Sequence, residues 1–393
     1  MLRKDWESRL EKYALELVDG KRRQRWRDRA LLWILFLLSR LFRNIIQVRH
    51  SLYDQGVFLR RQRFGCTVIS VGNLTVGGTG KTPVVEFLAR QLRDDGRNVA
   101  VLSRGYRSKA RPVLVRWWES IQNGEVEILP RIVSDGNEVL LDSAEAGDEP
   151  YMLARNLLPG VSVVVDKDRV KAGRYAVRHL GADIMLLDDG FQYLRMKPAY
   201  NIVLVDSTRP FHNHHVLPRG LLREPIKHLR RADLIFLTKS DGSPRIRHLK
   251  RFIKKHNSLA EIIECNHAPR YLQNLHTGEQ HHLDWLHGKK AAAISAIAVP
   301  EGFERYLEKL SAHLVCRERF IDHHRFSQEE IAAFCQDAVA LGAECIITTE
   351  KDAVRFPDLP DWPIPVYYLR VEIEIVAGRR TLDEWIRKIC FKN

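Results

Sequence analysis

The stretch that decides the fold runs from residue 66 to residue 96 and reads CTVISVGNLTVGGTGKTPVVEFLARQLRDDG. Its first seven residues form a short apolar run rich in β-branched side chains, which predicts a buried strand. Residues 81–96 carry apolar side chains at helical spacing and end at Gly96, a common stop signal for helices. The stretch therefore predicts a strand, a glycine-rich loop and a helix in direct succession.

The loop has the composition of a phosphate-binding loop. Three glycines let backbone amides curl around phosphate oxygens, and the N-terminus of the helix adds a partial positive charge. Lys81 can reach the β- and γ-phosphates of a nucleotide, and the hydroxyl of Thr82 can ligate Mg²⁺. The predicted nucleotide-binding residues are Thr75, Gly77, Gly78, Thr79, Gly80, Lys81 and Thr82. Thr75 replaces the first glycine of the usual pattern, and a glycine-rich turn without a ligand is the alternative.

The rest of the chain alternates apolar runs with helical patterns. Buried strands are predicted at 98–103, 161–166, 183–189, 201–206 and 233–239. Such runs separated by helices predict an α/β fold like that of P-loop NTPases, with a mostly parallel sheet and helices on both faces. Two apolar runs around the Asn123-Gly124 turn predict a β-hairpin inserted near 111–133.

Three segments are predicted from these patterns. Residues 1–60 form an N-terminal segment, 61–285 the P-loop core, and 286–393 a smaller C-terminal α/β domain. A second series of strands and helices begins near 291–299 and 301–310. The stretch 266–290 is rich in His, Asn and Gln and is the best candidate for a linker.

Composition and net charge limit the classes of binding partner that the chain could have. The chain has 393 residues and a formal net charge of +14, which favours a phosphate-bearing partner: a nucleic acid, an anionic membrane surface or a phosphorylated substrate. None of the six cysteines forms a C-x-x-C pair, so a zinc knuckle is not indicated. Scattered cysteines are typical of a reducing compartment.

The N-terminal segment combines a basic block with an apolar block. Residues 21–29 read KRRQRWRDR and residues 30–38 read ALLWILFLL. The apolar run is shorter than the roughly 20 residues of a membrane-spanning helix. The pattern predicts an amphipathic helix lying in the interface of an anionic membrane, with its basic residues toward lipid phosphates. A buried helix with a solvated basic flank is the alternative, and a nucleic-acid partner is disfavoured.

Two adjacent acids follow the apolar run at 184–187. Asp188 and Asp189 end a predicted strand, the place where ligands bind in open α/β sheets. Their mutual repulsion costs stability unless a cation offsets it. They are predicted to bind Mg²⁺ together with Thr82; a pair of turn aspartates before Gly190 is the alternative.

Eight motifs together resemble one family. In chain order they are GNLTVGGTGKTP (72–83), SRGY (103–106), GDEP (147–150), DDGFQ (188–192), LPRGLLREP (217–225), ADLIFLTKSD (232–241), FIDHHRF (320–326) and TTEKDAVRF (348–356). This order is similar to that of the tetraacyldisaccharide 4′-kinases, also called lipid A 4′-kinases. The resemblance runs from about residue 30 to residue 356.

The resemblance implies ATP-dependent phosphorylation, with Mg²⁺, of the 4′-hydroxyl of an acylated disaccharide 1-phosphate lipid. The product is the 1,4′-bisphosphate. It implies an enzyme on the cytoplasmic face of the inner membrane, bound through a peripheral or monotopic helix. No nucleic acid and no obligate protein partner are expected.

The resemblance also assigns residues. Asp148 is implied as the base, with Lys81 as a further catalytic residue and His323 or His324 as the histidine partner; His323 is favoured. Glu149, Arg169, Gln192, Arg223 and Glu224 are implied to contact the substrate. By residues alone, Asp148 has the alternative of capping the helix that follows it.

Two features leave alternatives open. The family often has histidine after DDGFQ, whereas this chain has Tyr193, which cannot supply a readily titrating imidazole. The TKSD motif at 238–241 also matches the [NT]-K-x-D pattern that reads guanine in many GTPases. The alternative function is therefore a P-loop regulatory GTPase or a metallochaperone NTPase.

Overall fold

The structure is a computed structural model that describes residues 26–56, 59–105, 129–322, 324–357 and 362–391. Contacts divide the chain into two compact units. The first unit comprises Met1–Arg104, Asp168–Asn266 and Ile375–Asn393, and the second comprises Gly105–Lys167 and His267–Glu374. The sequence-based boundaries at residues 60 and 285 stay a prediction.

The described elements follow in chain order. They are α1 (Trp26–Gln55), β1 (Thr67–Asn73), α2 (Lys81–Asp94), β2 (Val99–Ser103), β3 (Arg131–Ser134), α3 (Ser143–Ala146), α4 (Asp148–Leu157), β4 (Val161–Val165), α5 (Arg169–His179), β5 (Ile184–Asp188), β6 (Tyr200–Asp206), a 3₁₀ helix (Ile226–Arg231), β7 (Leu234–Thr238), α6 (Pro244–His256), β8 (Glu261–Asn274), β9 (Gln280–His282), a 3₁₀ helix (Leu283–Leu286), β10 (Lys290–Ser295), α7 (Pro300–Lys309), β11 (His313–Arg319), α8 (Gln328–Ala340), β12 (Cys345–Thr349), α9 (Glu350–Ala353), β13 (Val366–Ala377) and α10 (Arg379–Cys390).

The first unit is built on a parallel sheet with strand order β8-β7-β6-β1-β5-β2. Every residue of β2, β5 and β7 is buried, as expected for strands covered on both faces. The sequence-based prediction of a mostly parallel α/β sheet is therefore confirmed. The carboxyl ends of β1, β2, β5, β6 and β7 lie at the same edge, which brings together the polar residues that end them.

The second unit contains a parallel set of strands in the order β11-β10-β12-β13 and an antiparallel pair, β3 with β4. Among its described residues, two hydrophobic clusters pack on either side of β10, since Ala291 and Ala293 belong to one and Ala292 and Ile294 to the other. The predicted linker at 266–290 is not irregular. Residues 271–273 of β8 pair with residues 280–282 of β9 as an antiparallel hairpin.

Helix α1 is longer than its apolar run predicts, at 30 residues. One face is buried, at Asp28, Leu32, Ser39, Ile46, His50 and Tyr53. The opposite face leaves large apolar side chains exposed, among them Trp33, Ile34, Leu38, Leu41 and Ile45. By length and composition α1 is the one helix among the described residues that could cross a membrane, yet its buried face shows packing on the first unit.

The predicted hairpin near 111–133 falls mostly outside the described residues. Its last residues, 131–133, belong to strand β3, which is antiparallel to β4.

Candidate functional site

The phosphate loop connects β1 to α2 in the first unit. Gly80 occupies the N-cap position of α2 in the left-handed region, with φ 75°, and Gly77 has φ 111°. Side chains other than glycine rarely adopt these angles, which explains both glycines. The loop thus delivers Lys81 and Thr82 at the first turn of α2, where backbone amides and the helix dipole favour an anion.

Asn73, at the end of β1, shapes the loop from inside. Its Nδ2 donates to Thr79 Oγ1 at 3.0 Å and to Thr75 Oγ1 at 3.4 Å, and all three residues are buried. The threonine hydroxyls are thereby engaged within the loop. Thr75 and Thr79 consequently hold its shape, and their place in nucleotide binding stays a prediction.

The two aspartates after β5 have different surroundings. Asp188 is buried and accepts a hydrogen bond from Ser103 Oγ at 3.0 Å. Asp189 accepts from Arg223 Nη1 at 2.7 and 2.9 Å and lies 3.6 Å from Lys81 Nζ. Burial raises the pKa of the Asp189 carboxyl, but the charges of Lys81 and Arg223 outweigh this and hold its pKa below the ordinary value.

The donor set at this edge fits Mg²⁺. A threonine hydroxyl and a carboxylate are hard oxygen ligands of the type that Mg²⁺ prefers. Thr82 and Asp188 supply these groups, whereas both oxygens of Asp189 already face Arg223. The structure therefore favours Asp188 over Asp189 as a direct ligand.

Arg169, the first residue of α5, lies against Tyr193. Its guanidinium carbon is 4.7 Å from the centre of the Tyr193 ring, and its Nε has no hydrogen-bond partner among the residues that the structure describes. Burial lowers the pKa of Arg169, although the charges of nearby Tyr193, Asp188 and Asp189 act in the opposite direction. A buried guanidinium with an unused donor beside an acidic pair suits contact with a phosphate group.

Tyr193, the residue that follows DDGFQ, makes a side-chain hydrogen bond to Asp168. Its hydroxyl donates to Asp168 Oδ1 at 2.9 Å, and Asp168 also caps α5 by accepting from the Val170 amide. Burial and the bond to Asp168 both raise the pKa of Tyr193. At neutral pH, Tyr193 is therefore a hydrogen-bond donor that orients the start of α5.

Arg223 and Glu224 are adjacent in sequence but belong to different surroundings. Arg223 joins Asp189, and its backbone amide donates to Leu74 O at 2.6 Å, which ties the LLREP segment to the phosphate loop. Glu224 is 2% exposed and contacts His228, Arg231 and His50. In this position the Glu224 carboxylate is bonded to buried neighbouring side chains. The predicted contact of Glu224 with the substrate therefore finds no support.

The TKSD motif contacts the phosphate loop. Thr238 Oγ1 donates to Thr79 O at 3.0 Å, and Lys239 Nζ donates to Asp206 Oδ2 at 2.6 Å. Lys239 thus pairs with the acid at the end of β6 and not with Asp241, whose Oδ1 accepts from the Ser243 amide. The motif therefore supports the phosphate loop from the end of β7, which is separated from β1 by β6.

The second unit holds the predicted base. Asp148 is the first residue of α4, and Gly147, with φ 92°, occupies the N-cap position. Asp148 accepts from Arg355 Nε at 2.7 Å and lies 3.4 Å from Arg325 Nη2. Because Gly147 holds the N-cap position, Asp148 lies in the first turn of α4 and is not the N-cap residue that the capping alternative expects.

Arg355 is held by a second acid. Its Nη1 donates to Asp352 Oδ1 at 3.0 Å, and Asp352 is fully buried, with further bonds from the Ala296 amide and the Thr349 hydroxyl. Burial raises the pKa of Asp352 despite these bonds. Two buried groups from the TTEKDAVRF motif thus fix the orientation of the Asp148 carboxylate.

The other acid of GDEP, Glu149, is less constrained. It lies 3.8 Å from Lys351 Nζ, which is also 3.9 Å from Asp322 in the DHH motif. These pairs are partly exposed and contribute little stability.

Of the two histidines, His323 lies outside the described residues. His324 Nε2 is 2.8 Å from Glu330 Oε2, and its ring stacks on Phe320. Glu330 in turn completes the capping box of α8 with Ser327. His324 is thus engaged at the start of α8, and the choice of His323 as the partner of Asp148 stays a prediction.

Sequence reasoning missed several supporting residues. They are Asn73, Thr238 and Lys239 beside the phosphate loop, and Arg325, Asp352 and Arg355 around Asp148. All six lie inside the motifs quoted above. Their place in these motifs was the one signal in the sequence that could have marked them as functional. Which partner each side chain meets depends on strands and helices distant in sequence.

A parallel α/β sheet whose first strand runs into a Gly-Lys-Thr loop, with acids at the neighbouring strand ends, defines a P-loop nucleotide-binding protein. Comparison with known proteins agrees with this class. The family model for tetraacyldisaccharide-1-P 4′-kinase matches residues 31–390. The chain belongs to the tetraacyldisaccharide-1-P 4′-kinase family.

Relatives and a solved structure extend the match over most of the chain. The tetraacyldisaccharide 4′-kinase of Anaeromyxobacter sp. (strain K) is 42% identical over 338 residues, covering 84% of each chain. That of Anaeromyxobacter dehalogenans (strain 2CP-C) is 41% identical, covering 91% of this chain and 92% of the relative. The crystal structure of LpxK from Aquifex aeolicus in complex with ATP is 31% identical, has a TM-score of 0.71, and covers 92% of this chain and 100% of that one. The chain is accordingly an ATP-dependent kinase of lipid A synthesis that uses Mg²⁺.

Proposed function

We propose that the enzyme transfers the γ-phosphate of ATP to the 4′-hydroxyl of a tetraacyldisaccharide 1-phosphate at the surface of a membrane, giving the 1,4′-bisphosphate. The single observation that carries this proposal is the Asp148 carboxylate held by Arg325 and Arg355, in a chain that also has a phosphate loop. Family membership supports the substrate class.

Phosphoryl transfer to an alcohol depends mainly on alignment and on neutralising charge. Lys81 and the amides at the start of α2 would stabilise the negative charge of the transferring group. Thr82 and Asp188 would hold Mg²⁺, which would neutralise further negative charge on the nucleotide phosphates. Arg169 and Arg223 are proposed to contact phosphate oxygens, and Gln192, whose Nε2 donates to Asn73 O at 2.9 Å, to position the loop.

Asp148 is proposed as the acceptor of the hydroxyl proton, with His323 as its partner and Glu149 beside it. The ion pair with Arg355 fixes the direction of the carboxylate, since Arg355 is itself 2% exposed and held by Asp352. A base positioned in this way contributes roughly 10²–10⁴-fold to such a reaction.

Action at a membrane surface is supported by α1. Its exposed face carries large apolar side chains, while its other face packs on the first unit. A helix with these two faces is suited to lie in the interface, and basic residues at 27, 29, 40 and 43 would lie near anionic lipid headgroups. Location at the cytoplasmic face of the inner membrane follows from the family resemblance and belongs to this proposal.

The test uses purified enzyme, radiolabelled ATP and the disaccharide 1-phosphate lipid in mixed micelles. We expect the wild type to label the lipid at the 4′ position and Asp148→Asn to lower kcat by about 10²–10⁴-fold. Glu145→Gln is the matched control, because Glu145 is an exposed acid three residues away. Absence of lipid labelling by the wild type, or full activity of Asp148→Asn, would refute the corresponding part of the proposal.

A further inference from the structure

A buried charged cluster lies in the first unit apart from the predicted contacts of ATP. Glu224 Oε2 is its centre, at 2.6 Å from His228 Nδ1, 2.8 Å from Arg231 Nη1 and 3.4 Å from His50 Nε2. The side chain of Glu224 is 3% exposed. We call His50, Glu224, His228 and Arg231 the Glu224 cluster.

The Glu224 cluster is joined to the DDGFQ loop through Arg231. Arg231 Nη2 donates to the backbone carbonyl of Phe191, and its guanidinium carbon lies 4.0 Å from the centre of the Phe191 ring. Phe191 follows Asp189 by two residues and packs against Gly72, where a Cβ would lie 2.7 Å from Phe191 Cβ. The guanidinium of Arg231 thereby fixes the loop that carries the acidic pair.

The cluster is joined to the phosphate loop through the residue before Glu224. Arg223 donates to both oxygens of Asp189, and its amide donates to Leu74 O. The pairing continues at Val76, whose amide donates to Leu221 O at 2.8 Å. Displacing Glu224 would therefore displace the segment that pairs with the phosphate loop.

Helix α1 is bonded directly to the DDGFQ loop and to the LLREP segment. His50 completes the Glu224 cluster, with its Nε2 also 3.4 Å from Arg231 Nη1, and Arg49 Nη2 donates to Gln192 O at 3.1 Å. Ser39 Oγ adds a bond to Val216 O at 2.9 Å. Helix α1, whose exposed apolar face is proposed to contact lipid, is thus bonded directly to the DDGFQ loop and to the LLREP segment.

A metal ion is the other occupant that the cluster suggests, because His50, Glu224 and His228 place ligand atoms within 4.8 Å of one another. Arg231 Nη1 contacts both Glu224 and His50. The guanidinium therefore already supplies the cation that Glu224 needs, and a metal would have to displace it.

We propose that the Glu224 cluster, together with Arg49, is a positioning device that links the seating of α1 to the DDGFQ and LLREP loops. Phosphoryl transfer is then fast only when α1 is seated. His50 and Arg49 act through other residues, since neither is among the predicted contacts of ATP. This inference rests on the proposed function, because transfer to the lipid is the activity measured.

The test compares two variants that break the links with two that keep them. His50→Leu removes the imidazole, whereas His50→Gln keeps a donor near the Nε2 position; Arg49→Met removes the donor to Gln192 O, whereas Arg49→Lys keeps one. Arg49 is exposed, so its variants are expected to fold. Asn44→Leu, at an exposed position of the same helix, is the matched control.

Full-length enzyme is assayed in mixed micelles while ATP and lipid concentrations are varied separately. We expect His50→Leu and Arg49→Met each to lower kcat by about tenfold, which is the effect of one lost hydrogen bond, with the KM for lipid unchanged within about twofold. The Gln and Lys variants should recover most of the loss, and Asn44→Leu should match the wild type.

An unchanged kcat in both disrupting variants would overturn the proposal. A loss that appears only in the KM for lipid would also overturn it, because α1 would then contribute lipid contact alone. Stabilisation of the protein by Mg-ATP in thermal unfolding provides a readout that does not depend on the lipid. Failure of the wild type to label the lipid, with Mg-ATP stabilisation intact, would refute the proposed function instead.

Discussion

Replacing Glu224 by Gln should destabilise the protein in a pH-dependent way. Burial raises the pKa of the Glu224 carboxyl, but hydrogen bonds from His228 and His50 and the charge of Arg231 outweigh burial and lower the pKa from 4.5 to about 2. At 1.36 kcal/mol for each tenfold change in proton affinity, this difference is worth about 3 kcal/mol. The side chain is nearly inaccessible to water, so solvent screening removes little of it.

The sign of the pH dependence follows from the lowered pKa. A carboxyl that is more acidic in the folded state stabilises that state at every pH above its unfolded value, near 4.5. The stabilisation is lost as the pH falls from about 4.5 through about 2. A glutamine at this position cannot ionise, so Glu224→Gln lacks this contribution at any pH.

Urea unfolding of both proteins at pH 7 and pH 3 measures the effect. We expect the wild type to exceed Glu224→Gln by about 3 kcal/mol at pH 7 and by less than half of that at pH 3. Glu261→Gln is the control, since Glu261 is an exposed acid of the same unit. A gap of equal size at both pH values, or no gap at pH 7, would show that the charge of Glu224 does not stabilise the fold.

Three further predictions concern the site and the membrane face. Lys81→Ala should lower kcat at least about 100-fold with little change in thermal stability, because Lys81 supplies charge to the transition state; steady-state kinetics at saturating ATP would reveal any smaller effect. Arg355→Met should cost about 3–5 kcal/mol in urea unfolding, since it leaves Asp352 buried without its cation, and pairing it with Asp352→Asn should restore part of this loss. Replacing Leu38 and Leu41 together by Ser should lower binding to anionic vesicles by at least about tenfold in a sedimentation assay, and unaltered binding would exclude the exposed face of α1 as the lipid contact.

The sequence was most informative where local patterns decide structure. The strand before the phosphate loop and the helix after it were predicted within one or two residues, because β-branched runs and helical spacing are local signals. The same holds for β5 and β7, whose apolar runs are fully buried. The hairpin of β8 with β9 was missed within the stretch predicted as a linker, because its polar sequence lacks a strong apolar alternation. The domain boundary in this region stays a prediction.

The contacts of the site could be predicted only in part. Motifs marked Asp148 and Glu224, but their partners lie far away in sequence: Arg355 is 207 residues from Asp148, and His50 precedes Glu224 by 174 residues. Adjacent residues also differ in their contacts: Arg223 bonds to Asp189, whereas Glu224 is buried against His228. Neither the distant pairing nor the direction of each side chain follows from a single sequence.

The close approach of Gly72 to Phe191 has a genetic consequence. Every amino acid other than glycine carries a Cβ, and at residue 72 that atom would lie 2.7 Å from Phe191 Cβ and 2.9 Å from its backbone nitrogen. No missense change of this codon can therefore avoid pushing the DDGFQ segment away from β1. Random mutagenesis under selection for growth should recover synonymous codons here, and compensating second mutations should be rare because the obstructing atoms include backbone.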